Sequence, residues 1–216
     1  MELGLIIIFW YGLLHAFGPD HLTAIADFSI GRQRKRVLLL TLGFAVGHGL
    51  SLYLFALLLS SMKLSEEWLA YGDVIAASVI VLMGLYLLFL VVTDRIHVRQ
   101  HQHNGKAHIH IWFGKAHSHQ ENKTLLSWLS ASATIGILMG MGGARGMLVS
   151  LSAISHQEVT AWMVLSFTLG VALVFMLFGA LIALLNEKLL NSKSWLRGSF
   201  TFVGLVSCFV GGKILI

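Results

Sequence analysis

The sequence predicts an all-α fold: a polytopic membrane protein with six transmembrane helices in two inverted three-helix repeats. Three observations lead to this fold class. The chain of 216 residues is 56% hydrophobic and only 12% charged, and its mean hydropathy of +0.80 excludes an ordinary soluble domain. Its apolar runs are long enough to cross a bilayer. The spacing of small and aromatic residues in the first half recurs in the second half.

Six apolar windows have the length of a membrane span, and they cover residues 3–30, 37–60, 71–93, 124–154, 160–186 and 198–216. The first window has no basic segment before it and carries polar residues at its centre, so we expect it to stay in the mature protein rather than to be cleaved as a signal peptide. The windows divide the chain into a first repeat (1–93), a histidine-rich loop (94–123) and a second repeat (124–216).

Basic residues set the expected orientation. Of the 15 Lys and Arg residues, two lie inside the windows, and 12 of the remaining 13 fall in the loops after the first, third and fifth windows. The positive-inside rule makes these three loops cytoplasmic and places both termini outside the plasma (inner) membrane. This loop distribution also argues against a nucleic-acid partner. The single cysteine, Cys208, excludes a disulfide framework within one chain.

The two halves align at an offset near 124. Residues 12–19 lie against 136–143, and Gly47 of the second window falls on Gly170 of the fifth. Three spans per half is an odd number, so the second copy would enter the membrane from the opposite side, as in the inverted repeats of many transporters. Generic packing of small residues in membrane helices is the alternative explanation.

The first window contains His15, Asp20 and His21 around Gly18-Pro19. Pro19 has no amide hydrogen for the carbonyl of His15, so the pattern predicts a helix break with freed carbonyls, and Gly142-Gly143 is the matching weak point in the second half. On a continuous helix the three polar side chains would point in different directions. A break at Gly18-Pro19 removes that objection to a shared ion site.

His48, between two glycines in the second window, adds another imidazole at membrane depth. Two or three imidazoles with one carboxylate suit divalent nickel, cobalt, zinc or ferrous iron, and suit copper(I) poorly. Asp20 would either bind the ion directly or orient a histidine. Alternatively, each histidine only hydrogen-bonds a neighbouring helix.

The pattern of a histidine, four residues, an aspartate and a histidine, followed by Gly47-His48 in the next span, resembles the nickel/cobalt transporter (NiCoT) superfamily, including nickel/cobalt efflux and UreH-like membrane proteins. The resemblance covers residues 12–55, and it implies that His15, Asp20, His21 and His48 contribute to metal recognition. Importers of that family usually carry a second, acidic motif in the later half, whereas residues 139–147 here contain no carboxylate.

In the second half, Arg145 falls on His21 in the repeat alignment. It is a candidate gating residue or charge partner of Asp20, and the alternative is an arginine that binds carbonyls or extends to the interface. Met139, Met141 and Met147 are either thioether ligands or ordinary packing residues.

The loop between the third and fourth windows holds seven of the 11 histidines: His97, His101, His103, His108, His110, His117 and His119. Alternating histidines around Asn104-Gly105 favour a hairpin, and a disordered segment is the alternative. We expect this loop to be a secondary, cytoplasmic metal-binding segment.

These patterns favour a transporter of divalent metal ions, nickel or cobalt first and zinc or ferrous iron next, with alternating access between the two halves. No tightly bound cofactor is expected, and no P-loop motif indicates nucleotide hydrolysis. A membrane metal sensor or nickel-enzyme assembly protein is the alternative, followed by a membrane metalloenzyme, which the lack of an HExxH motif disfavours. A cytoplasmic metal chaperone is a candidate partner. The patterns leave open the direction of transport, the energy source and the oligomeric state.

Overall fold

The computed structural model describes residues 2–61, 66–103, 106–113, 125–154, 160–189 and 192–216. Within these ranges the elements follow one another as α1 (Glu2–Ala16), α2 (Pro19–Ser29), α3 (Arg34–Ser61), α4 (Glu66–Val92), β1 (Ile96–His103), β2 (Lys106–Phe113), α5 (Leu125–Ile154), α6 (Ala161–Leu189) and α7 (Lys193–Leu215). The described chain is therefore helical apart from one two-stranded hairpin.

Five of the helices, α3 to α7, are long and apolar enough to cross a membrane, and α1 with α2 forms a sixth candidate span that is bent by 60°. Their outward surfaces carry large apolar side chains such as Leu82 (65% exposed) and Phe209 (72% exposed). A surface of this kind matches the hydrocarbon interior of a bilayer and not water. The prediction of a helical membrane protein is thus confirmed at this level.

Glycines mark the places where helices meet most closely. A side chain on Gly12 of α1 would overlap the backbone carbonyl of Phe167 in α6, and one on Gly136 of α5 would overlap that of Phe44 in α3. Because apolar burial gives little drive for helix association in lipid, such close backbone packing supplies much of it. α4 packs along α5 and α7 in the same bundle.

The centre of the bundle is filled by large side chains with no exposed surface, namely Phe44, Phe167, Phe175, Met139 and Met147. They come from α3, α5 and α6, so each half of the chain contributes to one shared core. Dense packing of this kind fixes the helices that surround the polar residues of α1 and α2.

The turn from α2 to α3 is held by one buried amide. Asn186 of α6 donates from Nδ2 to the carbonyls of Ser29 (2.8 Å) and Arg32 (3.0 Å), and its Oδ1 accepts from the amide of Gly31 (3.0 Å). Gly31 has φ of +73°, a conformation that a side chain would strain. These three bonds fix the end of α2 relative to the second half.

The hairpin begins at a second anchor. Asp94 forms ion pairs with Lys193 (3.0 Å) and Arg197 of α7, and Ile96 is fully buried in an apolar cluster with Ile30, Leu87, Leu90, Leu196 and Phe200. The strands pair antiparallel, with His101 opposite His108 and His103 opposite Lys106. Of the two alternatives for this loop, a hairpin or a disordered segment, the described strands form the hairpin.

The predicted helix break at Gly142-Gly143 is wrong, because α5 runs without interruption from Leu125 to Ile154. Glycine keeps its amide hydrogen, so the helical hydrogen-bond ladder continues through both residues. A Cβ on Gly142 would lie 3.0 Å from Ala76 Cβ and 3.3 Å from the Gly72 oxygen. Gly142 therefore allows α4 and α5 to pack closely.

Candidate metal site

The site is built on the interruption between α1 and α2. Gly18 is extended (φ −51°, ψ 131°), and Pro19 occupies the first turn of α2, where its missing amide costs nothing. The amide of Gly18 donates to the carbonyl of His15 at 3.0 Å, so this carbonyl keeps a hydrogen-bond partner, whereas the sequence predicts that the break frees it. The interruption therefore changes the direction of the side chains on either side of it.

The bend brings His15 and His21 together. On a continuous helix, residues six apart would lie about 120° from each other around the axis. Here the ring centroids are 4.8 Å apart, and His48 of α3 lies 4.9 Å from His21 and 6.2 Å from His15. One nitrogen from each ring lies within 4.8 Å of the other two. We call His15, His21 and His48 the histidine cluster.

The cluster is buried and unsatisfied. His21 is 2% exposed and His48 is fully buried, and the Nε2 atoms of all three rings are buried without a hydrogen-bond partner. A buried polar atom without a partner normally costs about 1–3 kcal/mol, so three in one place need a compensating interaction. Three converging nitrogen lone pairs are a suitable ligand set for a divalent transition-metal cation.

Asp20 contacts the histidine cluster through His21. Its Oδ1 lies 2.8 Å from Nδ1 of His21, and it does not belong to the group of three converging nitrogens. A carboxylate at this place favours the proton on Nδ1 and leaves the lone pair on Nε2 for an ion. Of the two roles predicted for Asp20, the geometry fits orientation of His21.

Gly18 makes room for this pair. A Cβ on Gly18 would overlap Oδ1 of Asp20 and would lie 3.1 Å from Nδ1 of His21. Asp20 also stands in the first turn of α2, where the positive end of the helix dipole stabilises a carboxylate.

The second half supplies walls around the cluster. Phe167 of α6 lies 5.3 Å from His15, and Phe175 lies 5.6 Å from His21 and 5.4 Å from His48. A Cβ on Gly143 of α5 would lie 3.0 Å from Nε2 of His15. Aromatic rings exclude water, and the missing side chain at Gly143 leaves space beside the nitrogen atoms.

The other predicted residues are only partly described. The backbone of Arg145 lies in α5, two residues after Gly143, but its side chain lies outside the described atoms. His97, His101 and His103 occupy alternate positions of β1, and the strand register places His108 and His110 of β2 on the same face of the sheet. The side chains of these five histidines are not described, and His117 and His119 lie outside the described residues.

One buried polar residue of α2 is not among the site residues predicted from the sequence, because it stands outside the histidine–aspartate–histidine motif. Asp27 is 6% exposed and its Oδ1 accepts a hydrogen bond from Ser207 of α7 at 2.9 Å. An acidic residue inside an apolar window is itself a signal of function in a membrane protein.

No family model, curated protein or solved structure matches this chain.

Proposed function

We propose that the chain is a membrane transporter of divalent transition-metal ions, with nickel or cobalt as the first candidates and zinc or ferrous iron next. The observation that carries this proposal is the convergence of three imidazoles at a break in a candidate membrane span: one nitrogen of each ring lies within 4.8 Å of the other two, and each ring has a buried Nε2 atom without a partner. The His15, Asp20 and His21 motif, which resembles the NiCoT superfamily, supports nickel or cobalt among these ions.

The setting of the cluster favours passage of an ion over catalysis. Hydrolysis on a bound metal needs a site that admits water and a general base. The rings of Phe44, Phe167 and Phe175 lie around the imidazoles here, and the carboxylate of Asp20 contacts His21. Ligands from α1, α2 and α3, with walls from α5 and α6, would separate if the two halves moved relative to each other.

We also propose that the halves form an inverted repeat. The close contacts between helices are reciprocal at the offset that the sequence alignment gives. Gly12 meets the carbonyl of Phe167 as Gly136 meets that of Phe44. In the same way, Gly47 meets the carbonyl of Ala133, and Gly170 meets that of Phe9. Matched contacts of this kind are what a twofold axis between α1–α4 and α5–α7 would produce.

The hairpin is the proposed metal-handling segment. The positive-inside rule puts it in the cytoplasm, where it would collect metal for export or deliver imported metal to a chaperone. Its five described histidine positions share one face by register, and cross-strand neighbours on one face stand close enough for two imidazoles to share an ion.

The test is nickel binding and flux with the purified protein. To isolate the histidine cluster, the seven loop histidines are replaced by Gln, and equilibrium dialysis in detergent then measures Ni²⁺ affinity. Proteoliposomes containing a metal-sensitive dye measure flux of the unmodified chain. We expect His48→Ala to weaken binding at least about 100-fold, because loss of a ligand should exceed the 10–100-fold effect of losing an orienting partner, and to abolish flux.

Tyr53→Ala is the matched control, since it removes a ring from the same helix, on a side chain that is 39% exposed and outside the cluster. It should bind and transport normally. Unchanged nickel affinity in His48→Ala would contradict the metal site. Binding that depends on His48 without any flux would instead favour the sensor or assembly function.

A further inference from the structure

A second polar site lies on α2, separate from the histidine cluster. Asp27 follows His21 by six residues, which is about 9 Å along the helix axis. Its side chain is 6% exposed, and it points to α7 and not to the imidazoles. An ionised carboxylate in such a place must have a cation or several hydrogen-bond donors, or else take up a proton.

The two close contacts of the Ser207 hydroxyl, with Asp27 and with Val203, need two protons, but the hydroxyl supplies only one. Oγ of Ser207 is 2.9 Å from Oδ1 of Asp27 and also 2.9 Å from the carbonyl oxygen of Val203. A hydroxyl group has a single proton and cannot donate to both acceptors at once. The other carboxyl oxygen, Oδ2, is buried without a partner in the described part of the chain.

A proton on Asp27 resolves this conflict. The acid then donates from Oδ1 to Oγ of Ser207, and Ser207 donates to Val203, so each close contact has its own hydrogen. When Asp27 is ionised, Ser207 must turn its proton to the carboxylate, and the carbonyl of Val203 loses that bond. The site therefore has two hydrogen-bond arrangements that differ by one proton.

A cavity of about 270 Å³ borders Asp27 and could hold the water needed to carry that proton. Within the described ranges, the titratable or charged groups around Asp27 are Tyr86 of α4 and Arg32, which line the same cavity, and Cys208 of α7. Nε of Arg32 donates to the carbonyl of Phe28 at 2.7 Å, and its guanidinium stacks on Trp128 at 4.9 Å. Among the described residues, no ion pair joins a Lys or Arg to Asp27.

We propose that Asp27 is a proton-binding site whose proton is exchanged for the metal ion. This rests on the proposed transport function. In the exchange, a divalent cation binds the histidine cluster, the O–H bond of Asp27 breaks, the electron pair stays on the carboxylate, and the proton passes to cavity water. When the cation leaves, Asp27 takes a proton back, so each cycle moves one proton against one metal ion through this residue.

The coupling is electrostatic and passes along one helix. Two positive charges at the histidine cluster, separated from Asp27 by at least the helical rise of about 9 Å, favour the negative form of Asp27 in surroundings of low dielectric constant. Because His21 and Asp27 belong to the same short helix, a movement of α2 displaces both sites together.

The first experiment observes the proton directly. Infrared difference spectroscopy of the purified protein detects the carbonyl band of a protonated carboxylic acid. The band expected from Asp27 should be present in the wild type without metal, absent in Asp27→Asn, and unchanged in the control Ser78→Ala, which removes a hydroxyl from α4. Saturating Ni²⁺ should remove the band. Absence of the band at every pH, or a band that bound Ni²⁺ leaves unchanged, would overturn the proposal.

The second experiment measures counter-flow in proteoliposomes that contain a pH-sensitive dye. Asp27→Asn preserves shape and can still donate to Ser207, but it cannot release a proton when nickel binds. Its Ni²⁺ affinity should therefore fall about 5-fold to 150-fold, because the coupling between the two sites is reciprocal, and proton counter-flow should fall at least tenfold. Equal proton flow in this variant, or nickel flux driven by a sodium gradient and not by a pH gradient, would overturn the proposal. If the wild type neither binds nor moves nickel, the proposed transport function fails, and the infrared band alone decides whether Asp27 is a proton site.

Discussion

Gly18-Pro19 and Gly142-Gly143 fall on each other in the sequence alignment of the two halves, and only the first pair interrupts its helix. α1 and α2 meet at 60° around Gly18-Pro19, whereas α5 passes through Gly142-Gly143 as one helix of 30 residues. The difference lies in the amide hydrogen, which proline lacks and glycine keeps. Flexible residues permit a break, but a missing donor produces one.

The two places also contribute differently to the site. The broken segment turns His15 and His21 toward each other, and the continuous segment presents Gly143, whose missing side chain leaves space beside His15. One half thus supplies nitrogen ligands and the other supplies volume and aromatic walls.

The largest loss of Ni²⁺ affinity should come from removing the helix break at Gly18-Pro19. In the double variant Gly18→Ala/Pro19→Ala, residue 19 regains an amide for the carbonyl of His15, and a continuous helix separates His15 from His21 by about 120°. We expect Ni²⁺ affinity by equilibrium dialysis to fall at least about 100-fold, more than for loss of an orienting residue. Gly198→Ala, at a glycine with nothing within 4 Å, is the control. Wild-type affinity in a folded double variant would show that the break is not required.

The next effect tests whether the halves are related. Gly12→Ala and Gly136→Ala each place a methyl group on a backbone carbonyl, of Phe167 and Phe44 respectively. Overpacking of this kind costs about 1–3 kcal/mol, or about 2–4 °C of melting temperature per kcal/mol in a chain of this size. Thermal unfolding in detergent should give similar losses for the two variants. Unequal losses would argue against a repeat.

The third expected effect is a smaller loss of nickel affinity on replacing Asp20, which contacts His21. Asp20→Asn keeps the shape of the side chain but removes the charge that holds the Nδ1 proton of His21. Nickel affinity should fall about 10-fold to 100-fold, as for other orienting residues of metal sites. Dialysis of the folded variant checks this. A drop as large as that of His48→Ala would mean that Asp20 itself binds the ion.

The smallest loss of nickel affinity is expected from a substitution in the continuous helix α5. Gly143→Ala puts a Cβ 3.0 Å from Nε2 of His15 and 3.3 Å from Cε1 of His48, so the rings must shift by a few tenths of an ångström. We expect nickel affinity to fall about tenfold or less. Gly142→Ala faces Ala76 instead and should lower thermal stability without changing affinity. If Gly142→Ala lowered nickel affinity and Gly143→Ala did not, the metal site would not lie beside Gly143.

Sequence patterns predicted much of this architecture because lipid imposes simple rules. Long apolar windows must be helical, since every backbone polar group in a bilayer needs a partner within its own segment. The break at Gly18-Pro19 follows equally directly from the chemistry of proline. Small residues at fixed spacing marked where backbones approach, as at Gly12 and Gly136.

Only the tertiary structure decided how the polar residues are used. His48 joins His15 and His21 because α3 passes beside the bend, and Asp20 turns to His21 because Gly18 leaves room for its carboxylate. The partner of Asp27 lies 180 residues away on α7, at a distance in sequence that no local pattern spans. Local chemistry fixes where a helix stops, whereas packing between helices decides which polar atoms meet and which stay without a partner.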